Sequence, residues 1–212
     1  MNRKIILSSH YFPCIAYFAY LVNFKNVTID IGENFIKQSY RNRCIIYGSN
    51  GLLPVSIPVN KKNTSKTKDV VIDTKENWRK NHWRAISSAY SSSPFFEFYC
   101  DNIEKVLFQN NVNLSSLNIA LTELICCELN LSINLKISTK YVLKKETDID
   151  LRDKLSPKTK FNSSILFPRY IQTFEFKHGF QKNLSILDLL FHEGPESISY
   201  LKKLHLDIIK KP

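Results

Sequence analysis

Ile5-Ile6-Leu7-Ser8, Ser9-His10-Tyr11-Phe12-Pro13, the run Ile15 to Asn23 and Val27-Thr28-Ile29-Asp30-Ile31 together decide the fold class. Ile5 to Ser8 is a short apolar run of strand length and reads as a buried strand. Pro13 forces Phe12 out of helical geometry, so a loop follows. Ile15 to Asn23 reads as a short aromatic helix. Val27 to Ile31 is rich in β-branched residues and reads as a second strand, stopped by Gly32.

Outward from there, Cys44-Ile45-Ile46-Tyr47 and Leu52 to Val59 read as strands flanking Gly48-Ser49-Asn50-Gly51. That tetrad is a hairpin turn, because Asn-Gly readily takes positive φ. Asn60 to Lys68 is a lysine-rich loop, and Val70-Val71-Ile72 returns as a strand. Trp78, His82, Ile86 and Tyr90 recur every four residues and define one face of a helix from Trp78 to Tyr90. Pro94 opens a second helix, to about Gln109, at a position where its missing N–H costs nothing. Leu114 to Asn130 is a third. Ile133 to Ile137 reads as a strand, Thr139 to Asn162 as loop with a helical turn, and Tyr170 to Phe176, which alternates, as another strand. Asn183 or Ser185 caps a helix running to Phe191. Gly194-Pro195 breaks it, and Glu196 to Leu204 is the last helix. The expectation is an α+β chain, a single domain over 1–212 that is loop-rich at 60–69 and 139–162. A small mixed β-sheet in the N-terminal third packs against several helices.

With 43% hydrophobic and 12% aromatic residues, 212 residues bury a sizeable core. The net charge of +11 invites a nucleic-acid reading. Seven of the 30 basic residues are arginines, and dispersed lysines make a solvated surface, so an anionic small molecule suits the charge better. Cys14, Cys44, Cys100, Cys126 and Cys127 contain no Cys-x-x-Cys pair, so no metal site is expected. Their odd number favours free thiols in a reducing compartment. Arg3 and Lys4 before an apolar run mimic a signal peptide. Ser8 to Tyr11 interrupt that run, and Phe12 to Phe24 is too short to span a bilayer. The expected location is cytoplasmic, with no transmembrane segment.

Tyr40-Arg41-Asn42-Arg43 is an anion-binding candidate. In an extended segment Arg41 and Arg43 point to one side, where two guanidinium forks grip a phosphate or carboxylate. The alternative is pairing with Glu33 or Asp30. His82, on the apolar face of its helix, is either a general acid–base beside an aromatic platform or a core-edge histidine with a satisfied nitrogen. Glu33, Asn34 and Lys37 follow the Gly32 turn as site groups or as an ordinary polar loop. His178 precedes Gly179, which is expected at positive φ, and lies at the mouth of a cleft. Ser185 and Asp188 share a helix face as site groups or as a variant capping box. A Ser-His-Asp triad from His178, Ser185 and Asp188 is set aside because no strained nucleophile turn is evident. Cys14 near His10 is either a thiol nucleophile or packing. There is no Gly-rich phosphate loop, Rossmann fingerprint or His-Glu-x-x-His, so no cofactor is named.

Several segments together resemble the WbqC-like family, in its compact Bacteroidota form. They are Ser9 to Pro13 with Tyr17-Phe18; Glu33 to Arg43; Pro58-Val59; Asn77-Trp78 with His82-Trp83, Tyr90 and Pro94-Phe95-Phe96; and His178-Gly179 through Gly194-Pro195-Glu196. The resemblance spans about 8–204. Many members open with His-Gln-Pro before the Tyr-Phe-Pro; here Leu7-Ser8-Ser9 stands there, and the opening histidine is lost. The family is associated with surface-polysaccharide and O-antigen gene clusters, and some members carry transferase labels, including glycine transfer. The resemblance implies a transferase acting on an activated sugar or similar anionic precursor, a nucleotide sugar or an acyl donor. In that reading Arg41, Asn42, Arg43 and Lys37 hold the anionic group, with His178 and Ser185 nearby. His82 moves a proton, Asp188 or Glu33 orients a partner, and Tyr11 and Trp78 stack on a ring. A non-catalytic binding protein of the same pathway is the alternative, and nucleic-acid binding through Asn60 to Lys68 is the third.

Overall fold

The computed structural model describes residues 4–60, 66–75, 77–158 and 167–204. The chain runs β1 (Lys4–Ser8), α1 (Ile15–Asn23), β2 (Asn26–Asp30), β3 (Arg43–Gly48), β4 (Gly51–Ser56), α2 (Trp78–Tyr90), α3 (Phe96–Leu107) and α4 (Leu114–Glu128). It continues with β5 (Asn134–Ser138), β6 (Ile149–Asp150), α5 (Glu175–His178), α6 (Ile186–Glu193) and α7 (Ser197–Lys203). The class is α+β, as expected. Four strands pair in the order β5-β2-β1-β6, all parallel, and β3 and β4 form a separate antiparallel hairpin. The strands of the N-terminal third are thus joined by two from later in the chain.

β1 is central, and Ile5, Ile6 and Leu7 are fully buried, as expected for a parallel strand covered on both faces. A parallel pair needs a crossover, and α1 supplies it between β1 and β2. This helix is buried from Ile15 to Leu21, so it behaves as a core helix rather than an amphipathic one. Cys14 gives it no side-chain cap. Its first free donors are satisfied from far along the chain: the Ile15 amide donates to the Leu184 carbonyl at 2.9 Å and the Ala16 amide to Asn183 Oδ1 at 2.8 Å. Asn183 itself stands at φ 53°, a conformation asparagine tolerates.

The face of α2 that carries Trp78, His82, Ile86 and Tyr90 is buried, as its spacing requires. The hairpin turns at Ser49-Asn50, and Gly51, at φ 99°, takes the left-handed residue. Gly32 allows a close approach: a Cβ there would stand 2.4 Å from the Lys140 carbonyl carbon.

Three elements differ from expectation. Val70 to Ile72, read as a strand, makes only isolated bridges, Ile72 with Val59 and Val71 with Asn113. Within the stretch read as loop, Ile149–Asp150 forms β6, completing the sheet beside β1. Tyr170 to Phe176, read as a strand, joins no sheet, and its last residues enter α5. The alternation holds over Tyr170 to Thr173, since Tyr170 and Gln172 are buried while Ile171 and Thr173 are exposed, and it ends where Phe176 turns outward; side-chain hydrogen bonds replace a ladder. Part of the lysine-rich loop (61–65) and of the 139–162 stretch (159–162) lies outside the described residues.

Candidate functional site

The carboxyl ends of the four parallel strands gather most of the buried charge. In parallel sheets this edge is where ligands bind, because helices cover the faces and the strand-to-helix loops open there. After β2, Glu33 receives Arg41 in a two-pronged pair, Nε to Oε1 at 2.8 Å and Nη2 to Oε2 at 2.7 Å. The same Nη2 donates to Ser8 Oγ, at the end of β1, at 2.9 Å. Ser8 Oγ donates in turn to the Arg152 carbonyl just past β6 at 3.2 Å. Arg152 binds Asp30 at 2.5 Å, where β2 ends, and takes Asp150 as a second carboxylate partner. Asp30 also accepts from the amides of Gly32 and Val142, tying in the segment after β5. One chain of polar contacts therefore staples all four strand ends. Burial pushes the Glu33 carboxyl up, and Arg41 works against that shift.

Arg41 and Arg43 do not act as one fork. Residues 40–42 form a turn, not an extended segment. Arg41 points into the staple at 2% exposure. Arg43 is half-buried, donates from Nη2 to the Gln38 carbonyl, and has a buried Nε without a partner. Asn42 donates to the Ile57 carbonyl at 3.0 Å and leaves its buried Oδ1 unpartnered. Lys37 is exposed on the same turn region.

A second cluster joins the loop after β1 to α2. His82 Nε2 lies 3.1 Å from the Ser56 carbonyl, so it carries the proton, and Nδ1 accepts from the Tyr11 hydroxyl at 3.0 Å. Burial lowers its pKa to about 4. Both ring nitrogens are engaged, and Trp78 packs edge-on at 5.0 Å. Tyr11 and Trp78 are themselves buried, and their rings are occupied by neighbours, Phe12 and His82 against Tyr11 and His82 and Arg79 against Trp78.

A third cluster is centred on Asp188, fully buried on α6. Its Oδ2 accepts from the Tyr170 hydroxyl and from Gln172 Nε2, the latter at 2.8 Å. Burial raises its carboxyl pKa. His192, one turn on, donates from Nδ1 to the Asp188 carbonyl at 2.7 Å and accepts at Nε2 from the Thr173 amide at 3.0 Å. These contacts hold the irregular segment 167–174 against α6. Ser185 caps α6 and donates to the Phe12 carbonyl at 3.1 Å. His178, half-buried, has Nε2 2.9 Å from the Ser49 carbonyl, and Gly179 stands at φ 74° as expected. Among the described residues, no hydrogen bond or ion pair links His82, Arg43 and Asp188. Burial pushes the Cys14 thiol up to about 11, which makes it a packing group and not a nucleophile.

Sequence reasoning missed Ser9, Asn118 and Arg152, offered Asp30 only as a pairing partner for the arginines, and weighed His10 as a neighbour of Cys14 and as a substitute for the family's opening histidine. Their signal is positional: each except Asn118 follows closely the end of a buried parallel strand. Asn118, on α4, donates to the Arg41 carbonyl at 2.8 Å. Among the described residues, no group of His, Cys, Asp and Glu is placed to hold a metal ion, and no helix is long and apolar enough to cross a membrane.

These features define an α+β protein with a charged, stapled carboxyl edge on a parallel sheet. The chain belongs to the WbqC-like protein family, whose model matches residues 8–164. It is similar to "Uncharacterized protein Rv1507c" of Mycobacterium tuberculosis (strain ATCC 25618 / H37Rv), at 29% identity over 95% of this chain and 98% of that protein. No solved structure matches it.

Proposed function

We propose that this chain is a transferase-type enzyme of surface-polysaccharide biosynthesis. It acts in the cytoplasm on an activated sugar or similar anionic precursor. The observation that carries the reading is the convergence of polar groups from all four parallel strands at one carboxyl edge; Arg43, two residues on from Arg41, keeps an unpartnered, buried Nε. In this reading Arg43, Lys37 and Asn42 contact the anionic part of the ligand. Glu33 and Arg41 fix the loop that follows β1, and His82 and Asp188 position the surrounding framework. A transferase draws much of its rate from holding two substrates in register, and a stapled strand edge suits that task.

Thermal unfolding against nucleotide sugars, acyl-CoAs, amino acids and short oligonucleotides tests the reading, for wild type and Arg43→Ala. A ligand bound only by the folded state raises the midpoint. The expected result is a rise with a nucleotide sugar or acyl donor that Arg43→Ala loses. A rise with oligonucleotides alone, lost at high salt, would instead identify a nucleic-acid binder.

A second reading, a non-catalytic binding protein of the same pathway, is favoured by His82, whose ring nitrogens are both engaged. Binding of the same ligands with no transferred product over long incubation would select it.

A further inference from the structure

His10 lies just past the end of β1, with 1% of its surface exposed. Its ring packs 5.1 Å from Tyr17 and 5.7 Å from Tyr40. Neither Nδ1 nor Nε2 has a hydrogen-bond partner, and the Oγ of Ser9, its neighbour, has none either. Buried polar atoms without partners are rare because each forfeits its hydration for nothing in return. Three such atoms on consecutive residues therefore call for a reason. Arg41, whose charge reaches the His10 ring, has its carbonyl held by Asn118, and the Oδ1 of that asparagine is likewise buried without a partner. Tyr40 neighbours both His10 and the charge of Arg43. The same loop also carries Phe12 at φ 38°, a strained conformation for a bulky residue of the kind found where a site is held in place.

We propose that His10 and Ser9 form a ligand-contacting site for an uncharged, hydroxyl-bearing group, the sugar ring of the ligand, with Tyr40 between this site and the anion-binding Arg43. The chemistry follows from the protonation state. Burial, and then the Arg41 guanidinium, hold the imidazole well below its usual pKa, so the ring is neutral. A neutral imidazole offers one donor and one acceptor, and a serine hydroxyl offers both. That set complements a sugar hydroxyl, which also donates and accepts. It does not complement a phosphate, which needs donors only. The assignment of His10 stands on its own geometry. Only the identity of the rest of the ligand rests on the proposed function.

The test compares wild type with His10→Phe. A ring with no partners stabilises nothing by hydrogen bonding, so an apolar ring of similar shape leaves the unliganded unfolding midpoint unchanged or raised. UDP-glucose, UDP-N-acetylglucosamine and GDP-mannose are then titrated alongside UDP and GDP. The variant is expected to bind each nucleotide sugar about tenfold more weakly than wild type, and the free nucleotides equally. Should the larger ring prevent folding, wild-type protein labelled with 15N at histidine gives an independent readout. Its neutral His10 nitrogen resonances are expected to move when a sugar-bearing ligand is added and to stay when UDP is added. A clear fall in the unliganded midpoint of a folded His10→Phe overturns the proposal, because the ring would then be structural. So does a set of His10 resonances that no sugar-bearing probe moves. Sugar binding at His10 without any transferred product would instead refute the transferase reading and leave this site standing.

Discussion

Arg41 and Glu33 are eight residues apart and face each other through two parallel hydrogen bonds, both side chains at least nine-tenths buried. The pair is the hinge pin of the strand-end staple, since Arg41 also reaches Ser8. Removing one partner leaves an uncompensated buried charge. Arg41→Ala or Glu33→Ala is expected to cost about 3–5 kcal/mol in urea unfolding. Replacing both with apolar residues, Arg41→Met with Glu33→Leu, should cost far less than the two single changes added together. Additive losses would show that the residues do not act as a pair.

His82 gives the protein a pH dependence. Its folded pKa, about 4, lies below the unfolded value of 6.5, so the unfolded state binds its proton first. The stability it contributes is fully present above pH 6.5 and is lost as pH falls from there towards 4. The loss reaches roughly 3 kcal/mol if the whole shift is realised. Glu33 and Asp188, whose carboxyl pKa values are raised, act in the opposite sense, so the difference between wild type and His82→Gln isolates the histidine. Urea midpoints from pH 7.5 to 4.5, values chosen to bracket the ordinary imidazole pKa, are expected to fall more steeply for wild type. Parallel curves would mean that His82 titrates normally.

Asp188→Ala leaves the Tyr170 hydroxyl proton without its acceptor and removes one partner of the Gln172 amide, which keeps the Gln181 carbonyl, so the hold of α6 on the segment 167–174 rests on His192 and Thr173. A loss of about 2–4 kcal/mol is expected. Trypsin should cut sooner at Arg169 and Lys177, while Asp188→Asn retains part of the protection. Unchanged proteolysis in Asp188→Ala would show that the apolar contacts of Tyr170 hold the segment unaided.

Asn183 caps α1 from a distance, and Asn183→Ala is expected to cost about 1–2 kcal/mol. Asn183→Asp keeps the acceptor and adds a charge favourable to a helix N-terminus, so it should lose little. If both substitutions cost the same, the positive φ of this residue matters more than its side chain.

Much of the framework was legible in the sequence because its causes are local. Ile5 to Leu7 read as a strand since nothing polar interrupts them, and the spacing of Trp78, His82, Ile86 and Tyr90 gave the buried face of α2. The pairing of Arg41 with Glu33 stood among the stated alternatives. What escaped notice is non-local. β6 is two residues long and gains its identity only from β1 beside it. Tyr170 and Gln172 alternate as a strand does, yet their partner is a carboxylate on a helix. Separate placement of Arg41 and Arg43 follows from the turn at 40–42, which no spacing rule marks. The unpartnered state of His10 is a property of everything packed around it.

The remote cap on α1 has a bearing on how the chain matures. The helix nearest the amino end, wedged between the first two strands, receives its first hydrogen-bond acceptors from residues 183 and 184. During synthesis on the ribosome the leading amides of that helix have only water as partner until Asn183 and Leu184 have emerged. The central β1–α1–β2 unit is therefore expected to close only once those residues are available. Such distant pairing also slows folding. A nascent chain arrested before Asn183 would remain sensitive to proteases and chaperone-bound, and extension by a handful of residues past Ile186 should restore protection abruptly.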